Sequence, residues 1–228
     1  MFQIVFDQDL IISKVAAYLK DSIDKILDEK ENVIIGLVGG RSISGILDVL
    51  KEENVDWSKI HIFMVDERLV PLDNELSNFR LINESLNDVI SEENLHPFIY
   101  DEEKHDYSLA SYESELKKYG GFYDIVVLSS GEDGHIASLF PNHSSLNDES
   151  NFFIIEKDSP KLPRKRMSIS KNLLQKTKIC LLLFKGITKT KALKKFLDKD
   201  SDIYSCPAKL VYSVDDSYVF TDIKLEFN

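Results

Sequence analysis

Asp133 and His135 stand two residues apart in GEDGHIASLFP (131–141), directly after the apolar run DIVVLSS (124–130). A turn needs the glycines and can use the aspartate, but it has no need of the histidine. Imidazole titrates near neutrality. A neighbouring carboxylate that fixes its tautomer and ring orientation would make it a general base. The other reading is a purely structural histidine, so the choice depends on what else converges on this loop.

Four further stretches carry polar groups beside apolar runs. In GGRS (39–42), glycines allow close backbone approach, and Ser42 can cap a helix whose free N–H groups favour an anion. Gly40 and Ser42 are thus candidates for an anion cradle, set against a plain strand–helix turn. DERLVP (66–71) places Asp66, Glu67 and Arg68 in a row, either an internally paired surface cluster or part of a site. KGITK (185–189) puts Lys189 in the first turn of a helix, where the macrodipole disfavours a cation and a bound anion would offset the conflict. LPRKRMSIS (162–170) gathers Arg164, Lys165 and Arg166 in an acidic chain, as a solvated face or an anion clamp.

Other chemistries fit poorly. Asp66, Asp133, His135 and His143 come without the C-x-x-C or H-E-x-x-H spacing of metal sites, so no metal is expected. Neither nucleotide-binding glycine fingerprint is present. GRSIS has Ser44 where a serine-hydrolase nucleophile elbow requires glycine.

The elements that must position these residues follow from periodicity. Residues 9–29 carry apolar side chains at helical spacing (Leu10, Val15, Leu19, Ile23, Ile26, Leu27). NVIIGLV (32–38), KIHIFMV (59–65), YDIVVLSS (123–130) and KICLLLF (178–184) read as strands, each followed by an unusual loop and then a helical stretch. Strands apolar on both faces and alternating with helices predict a parallel sheet covered on each side. Ligands bind at the carboxyl ends of such strands, and the loops 39–42, 66–71, 131–135 and 186–189 all come there. FFIIE (152–156) and RMSIS (166–170) read as short extra strands, and the stretch from KLVYSV to YVFTDIKLEF (209–227) as the closure of the sheet.

Composition sets the outer bounds. The 228 residues suit one α/β domain spanning 1–228. A net charge of −11 argues against a nucleic acid or an anionic membrane as partner, while an anionic small substrate requires locally gathered cations. Cys180 and Cys206 read as buried free thiols of a reducing compartment. The N-terminus lacks the pattern of a signal peptide, no apolar run approaches the ~20 residues of a membrane span, and a cytoplasmic location is expected. Nothing here fixes an oligomeric state.

Taken together and in order, GLVGGRS, FMVDERLVP with SNFR, GEDGHIASLFP, RMSIS and KGITK resemble the 6-phosphogluconolactonases. These lie in a wider group with the glucosamine-6-phosphate deaminases. The resemblance implies a doubly wound, Rossmann-like sheet, no cofactor or metal, and hydrolysis of a phosphorylated sugar lactone in the pentose phosphate route. It implies His135 as general base with Asp133 beside it. It implies Asp66, Arg68, Arg166 and Lys189 around the anionic substrate, and Gly40 and Ser42 in its cradle. The family commonly reads Gly-Gly-Ser-Thr-Pro where this chain has GGRSI, so Arg41 and Ile43 depart from it, and Arg41 adds a cation suited to an anion. Deaminases usually read Asp-Glu-Tyr in the second loop and carry a ring-opening glutamate after the histidine. Arg68 and IASLFPNH are lactonase-like on both counts. A non-catalytic sugar-phosphate sensor is the reading from another class, and the intact Asp133–His135 pair argues against it.

Overall fold

The structure, a computed structural model, describes residues 2–224. The first third of the chain forms β1 (Phe2–Phe6), α1 (Ile11–Leu27), β2 (Val33–Leu37), α2 (Arg41–Lys51), β3 (Ile60–Met64), β4 (Asp66–Arg68) and α3 (Asn78–Leu86). Then come β5 (Leu95–His96), α4 (His105–Lys118), β6 (Ile125–Ser129), β7 (Phe153–Glu156) and β8 (Arg166–Ile169). The chain closes with α5 (Lys171–Gln175), β9 (Ile179–Phe184), α6 (Thr190–Leu197) and β10 (Asp216–Thr221).

Seven strands form one sheet in the order β1-β10-β9-β6-β2-β3-β5, every pair parallel, with helices on both faces. β2 and β3 are wholly buried, as runs of Val, Ile, Leu and Phe in a covered parallel sheet must be. α1 buries Val15, Leu19, Ile23 and Ile26 of the expected stripe and adds Ile11, whereas Leu10 precedes the helix and is exposed and Leu27 is half-buried. The chain runs from β2 outward to β3, then returns to place β6 on the other side of β2. The strand order therefore reverses between β2 and β6, and the loops leaving their carboxyl ends flank a crevice.

The two extra strands form a separate layer. β4, β8 and β7 make an antiparallel three-stranded sheet, in which Arg68 lies opposite Arg166. It is stitched to the main sheet where Ile169 N–H donates to the Val65 carbonyl at 2.7 Å and Val65 N–H to that of Leu37 at 2.8 Å. DER is thus the edge of a small sheet rather than an open loop.

Other expectations need correction. β10 does not close the sheet but lies inside it, between β9 and β1, and residues 207–213 form a 3₁₀ segment instead of extended chain. Residues 225–228 of that expected closing strand lie outside the described residues. Closure falls to β1 at one edge and the two-residue β5 at the other, neither of which the periodicity reveals. Cys180 and Cys206 are free and buried, as expected. Among the described residues no helix is long and apolar enough to cross a membrane.

Candidate functional site

Three chain segments meet at the switch point and enclose a cavity of about 90 Å³. Val38 and Gly39 come from the end of β2, Asp66 and Arg68 from β4, and Ser129, His135 and Ala137 from the end of β6 and its loop; Asn78 and Arg166 complete the lining.

His135 is oriented by its own loop. Its Nδ1 lies 2.5 Å from Asp133 Oδ1, and the same oxygen accepts the His135 backbone N–H at 3.2 Å. A carboxylate at this distance requires a donor, which assigns a proton to Nδ1 and leaves Nε2 without a protein partner among the described residues. Phe140 packs against the ring at 4.7 Å between centroids. Burial raises the Asp133 pKa, but the hydrogen bond and charge of His135, and more distantly Lys161, outweigh it and hold the carboxyl below its usual range. Asp133 is therefore a firm anion at the imidazole.

The glycine that serves this pair is Gly131. A Cβ there would lie 2.0 Å from His135 Nδ1 and 2.7 Å from Asp133 Oδ1, so the imidazole and carboxylate occupy the space that a side chain would fill. In the sequence Gly131 reads only as a turn residue; its missing side chain leaves room for the histidine and its carboxylate.

The second loop is a buried scaffold. Glu67 is 1% exposed and accepts the backbone N–H groups of Arg68, Asn78 and Phe79 at 2.7 Å each, with Ser77 Oγ at 3.1 Å. A carboxylate on these amides pins the start of α3 and suits its dipole. Burial nevertheless raises the Glu67 pKa, the amides opposing it. Asp66 is also spoken for. Its Oδ1 accepts Asn78 Nδ2 at 3.0 Å and its Oδ2 accepts Ser138 Oγ at 3.0 Å, tying α3 to the loop after His135.

Asn78, which the sequence does not single out, joins these parts. Its Oδ1 accepts Arg68 Nη1, and Gly39 makes way for it, since a Cβ at 39 would sit 1.9 Å from that oxygen. Arg68 Nη1 also donates to the Leu76 carbonyl at 3.0 Å, while its buried Nε has no partner. Arg166 spends Nε on the Pro163 carbonyl (3.0 Å) and Nη2 on those of Leu162 (3.1 Å) and Lys161 (3.4 Å). That leaves Nη1 for a ligand. Burial lowers the pKa of this guanidinium, with the nearby Arg68 adding to it and Asp66 opposing.

Gly40, Arg41, Ser42 and Lys189 do not line this cavity, to which the glycine loop contributes Gly39. Gly40, at φ +115°, is the N-cap of α2, a conformation that favours glycine, and nothing lies within 4 Å of where a Cβ would be. Ser42 is therefore not the cap, as expected from the sequence, but the second residue of the helix. Arg41 is the first and is exposed. Lys189 ends a 3₁₀ turn that leads into α6. Burial lowers its pKa, with Lys161 adding to it and Glu132 and Asp133 opposing. Arg164 and Lys165 pair outward, with Asp158 and Glu102, and take no part.

The chain is similar to known proteins over most of its length. Residues 6–220 match the family described as glucosamine-6-phosphate isomerases/6-phosphogluconolactonase. A 6-phosphogluconolactonase of Borreliella burgdorferi is 37% identical over 217 residues, covering 91% of this chain and 92% of that protein. One from Thermotoga maritima is 31% identical over 198 residues, covering 86% and 88%. A Thermotoga maritima 6-phosphogluconolactonase crystal structure superposes with a TM-score of 0.84 at 28% identity, covering 97% of this chain and 99% of that one.

Proposed function

From a chain that belongs to the glucosamine-6-phosphate isomerase/6-phosphogluconolactonase family, we propose a hydrolase of 6-phospho-D-glucono-1,5-lactone that uses His135 as its general base. The observation that carries the mechanism is the 2.5 Å contact of His135 Nδ1 with Asp133, beside a cavity lined by Arg68 and Arg166.

Nε2 is the nitrogen left to act. It removes a proton from water as the oxygen attacks the lactone carbonyl, and the resulting imidazolium is stabilised by the Asp133 anion. The tetrahedral intermediate carries an oxyanion, for which Arg68 Nε and Arg166 Nη1 are the donors without protein acceptors. As the ring C–O bond breaks, Nε2–H returns its proton to the departing alkoxide, and the product is a hydroxy acid. No covalent nucleophile is needed.

The phosphate lies far from the reacting carbon, and its capture supplies binding energy for positioning. Lys189, Arg41 and the open backbone at Gly40 are the groups proposed to hold it, with Ser42 in the same turn and Asp66 fixing the frame. A cytoplasmic setting, one catalytic domain over 1–228, and a small-molecule partner with no nucleic acid belong to the same proposal. They are supported by two free thiols and a net charge of −11.

The test is direct. Wild-type protein should accelerate loss of 6-phosphogluconolactone over its spontaneous hydrolysis at the same pH. A rate no greater than that background would overturn the assignment.

A further inference from the structure

Asp133 has a second oxygen, and its partner is not part of the mechanism described so far. Lys161 Nζ lies 3.6 Å from Asp133 Oδ2, on the side away from His135. Both side chains are half exposed, so the pair is accessible and modest in strength. The loop between β7 and β8 that carries Lys161 is itself tightly held. Ser159 N–H donates to the Arg164 carbonyl at 3.0 Å, Lys161 N–H to Ser159 Oγ at 3.2 Å, and Ser159 Oγ to the Lys161 carbonyl at 3.0 Å. Arg166 grips the carbonyls of Lys161, Leu162 and Pro163 from the cavity side. One guanidinium that lines the cavity thus fastens the backbone from which Lys161 reaches the base's own carboxylate.

We propose that Lys161 is a positioning residue for the base, holding Asp133 Oδ2 so that the carboxylate plane keeps Oδ1 on the imidazole. This rests on the reading of His135 as general base. The arrangement has two consequences. Without the ammonium, Asp133 can rotate and share itself between water and His135, so the imidazole loses orientation and kcat falls. The ammonium also opposes the charge of the imidazolium, so its removal makes His135 hold its proton more tightly. The other charged groups around His135 are unaltered by such a change: Asp66, Arg68 and Arg166 line its cavity, and Glu132 and Lys189 stand by Asp133.

Lys161 has a competing role open to it. Lys161 also borders a second cavity of about 370 Å³ with Glu132, Asp133, Pro141, Lys191 and Lys195, where it would contact an anion instead. The two roles separate in kinetics. Lys161→Met should lower kcat about two- to fivefold, the strength of a half-exposed ion pair, with KM for 6-phosphogluconolactone unchanged. It should also move the acidic limb of kcat/KM upward by a few tenths of a pH unit. Lys161→Arg should restore both, and in a His135→Asn background Lys161→Met should cause no further loss. A rise in KM with kcat intact would make Lys161 a substrate ligand and overturn the inference. So would wild-type kcat, KM and pH profile in Lys161→Met, which would leave the assignment of His135 standing. Wild-type protein inactive above background would overturn the base assignment and this inference with it.

Discussion

His135 and His96 have much the same neighbours and opposite fates. Each has a carboxylate at Nδ1, Asp133 at 2.5 Å and Glu115 at 3.4 Å, and each lies against a phenyl ring, Phe140 at 4.7 Å and Phe63 at 4.1 Å. The second nitrogen separates them. His96 Nε2 meets His61 Nδ1 at 3.1 Å between β3 and the edge strand β5, so both nitrogens of His96 are taken. His135 Nε2 has no protein partner among the described residues and faces a cavity at the carboxyl end of β6. A carboxylate beside a histidine therefore does not mark a catalytic base. What sets the proposed base apart is a free second nitrogen at the ligand-binding edge of the sheet.

The sharpest way to break this contrast is to exchange each histidine for a polar residue of similar shape. His135→Asn should lower kcat by roughly 10²–10⁴, the usual contribution of a general base, and leave binding of the phosphorylated product largely intact. His96→Gln should leave kcat/KM of the folded protein near wild type. Near wild-type turnover in His135→Asn, measured with spontaneous hydrolysis subtracted, would remove the distinction.

The core pair should announce itself in stability instead. Burial, with His61 nearby, pushes the His96 pKa down to about 4, and burial lowers His61 as well. In the unfolded chain each is about 6.5. Between those values the unfolded state binds protons that the folded state refuses. Stability from His96 is thus fully present above about pH 6.5 and is lost as the pH falls to about 4, on the order of 3 kcal/mol in all. Denaturant titrations at pH 7 and pH 4.5 should show this loss in wild type and a smaller one in His96→Gln. Equal losses would mean that the pair is not held neutral.

At the site, Lys189→Ala should cost about ten- to a hundredfold in kcat/KM for 6-phosphogluconolactone, the loss of one charge-assisted contact of about 1.5–3 kcal/mol. Unphosphorylated gluconolactone should lose little. Equal effects on the two lactones would return Lys189 to the solvated face of α6. The smallest effect expected is none: with no metal in the proposed chemistry, EDTA should leave turnover unchanged. Restoration of lost activity by one divalent ion would require a new mechanism.

Much of this was legible in the sequence, for reasons that differ by residue. The four central strands declare themselves because burial on both faces admits only apolar side chains, and the loops after them carry Arg68, Asp133, His135 and Lys189. β1 is hidden because an edge strand may expose Phe2, Ile4 and Phe6. β5 is hidden because two residues hold no period. Asn78 and Ser138 are invisible as site residues because their part is to satisfy Asp66 and Arg68 across 12, 72 and 10 positions of chain. Gly131 reads as a turn glycine because only coordinates show whose atoms fill its missing side chain. Arg41 opens α2 as a departure that the fold accommodates without giving it a partner among the described residues.

The cross-strand pairing of Arg68 with Arg166 has a thermodynamic corollary. Like charges directly opposite in a sheet are destabilising, and here each guanidinium depends on the acceptors gathered around it. An anion seated between them would relieve the repulsion and bind only the folded chain, so occupancy and folding would be linked functions. The melting temperature would then rise with the concentration of such a ligand.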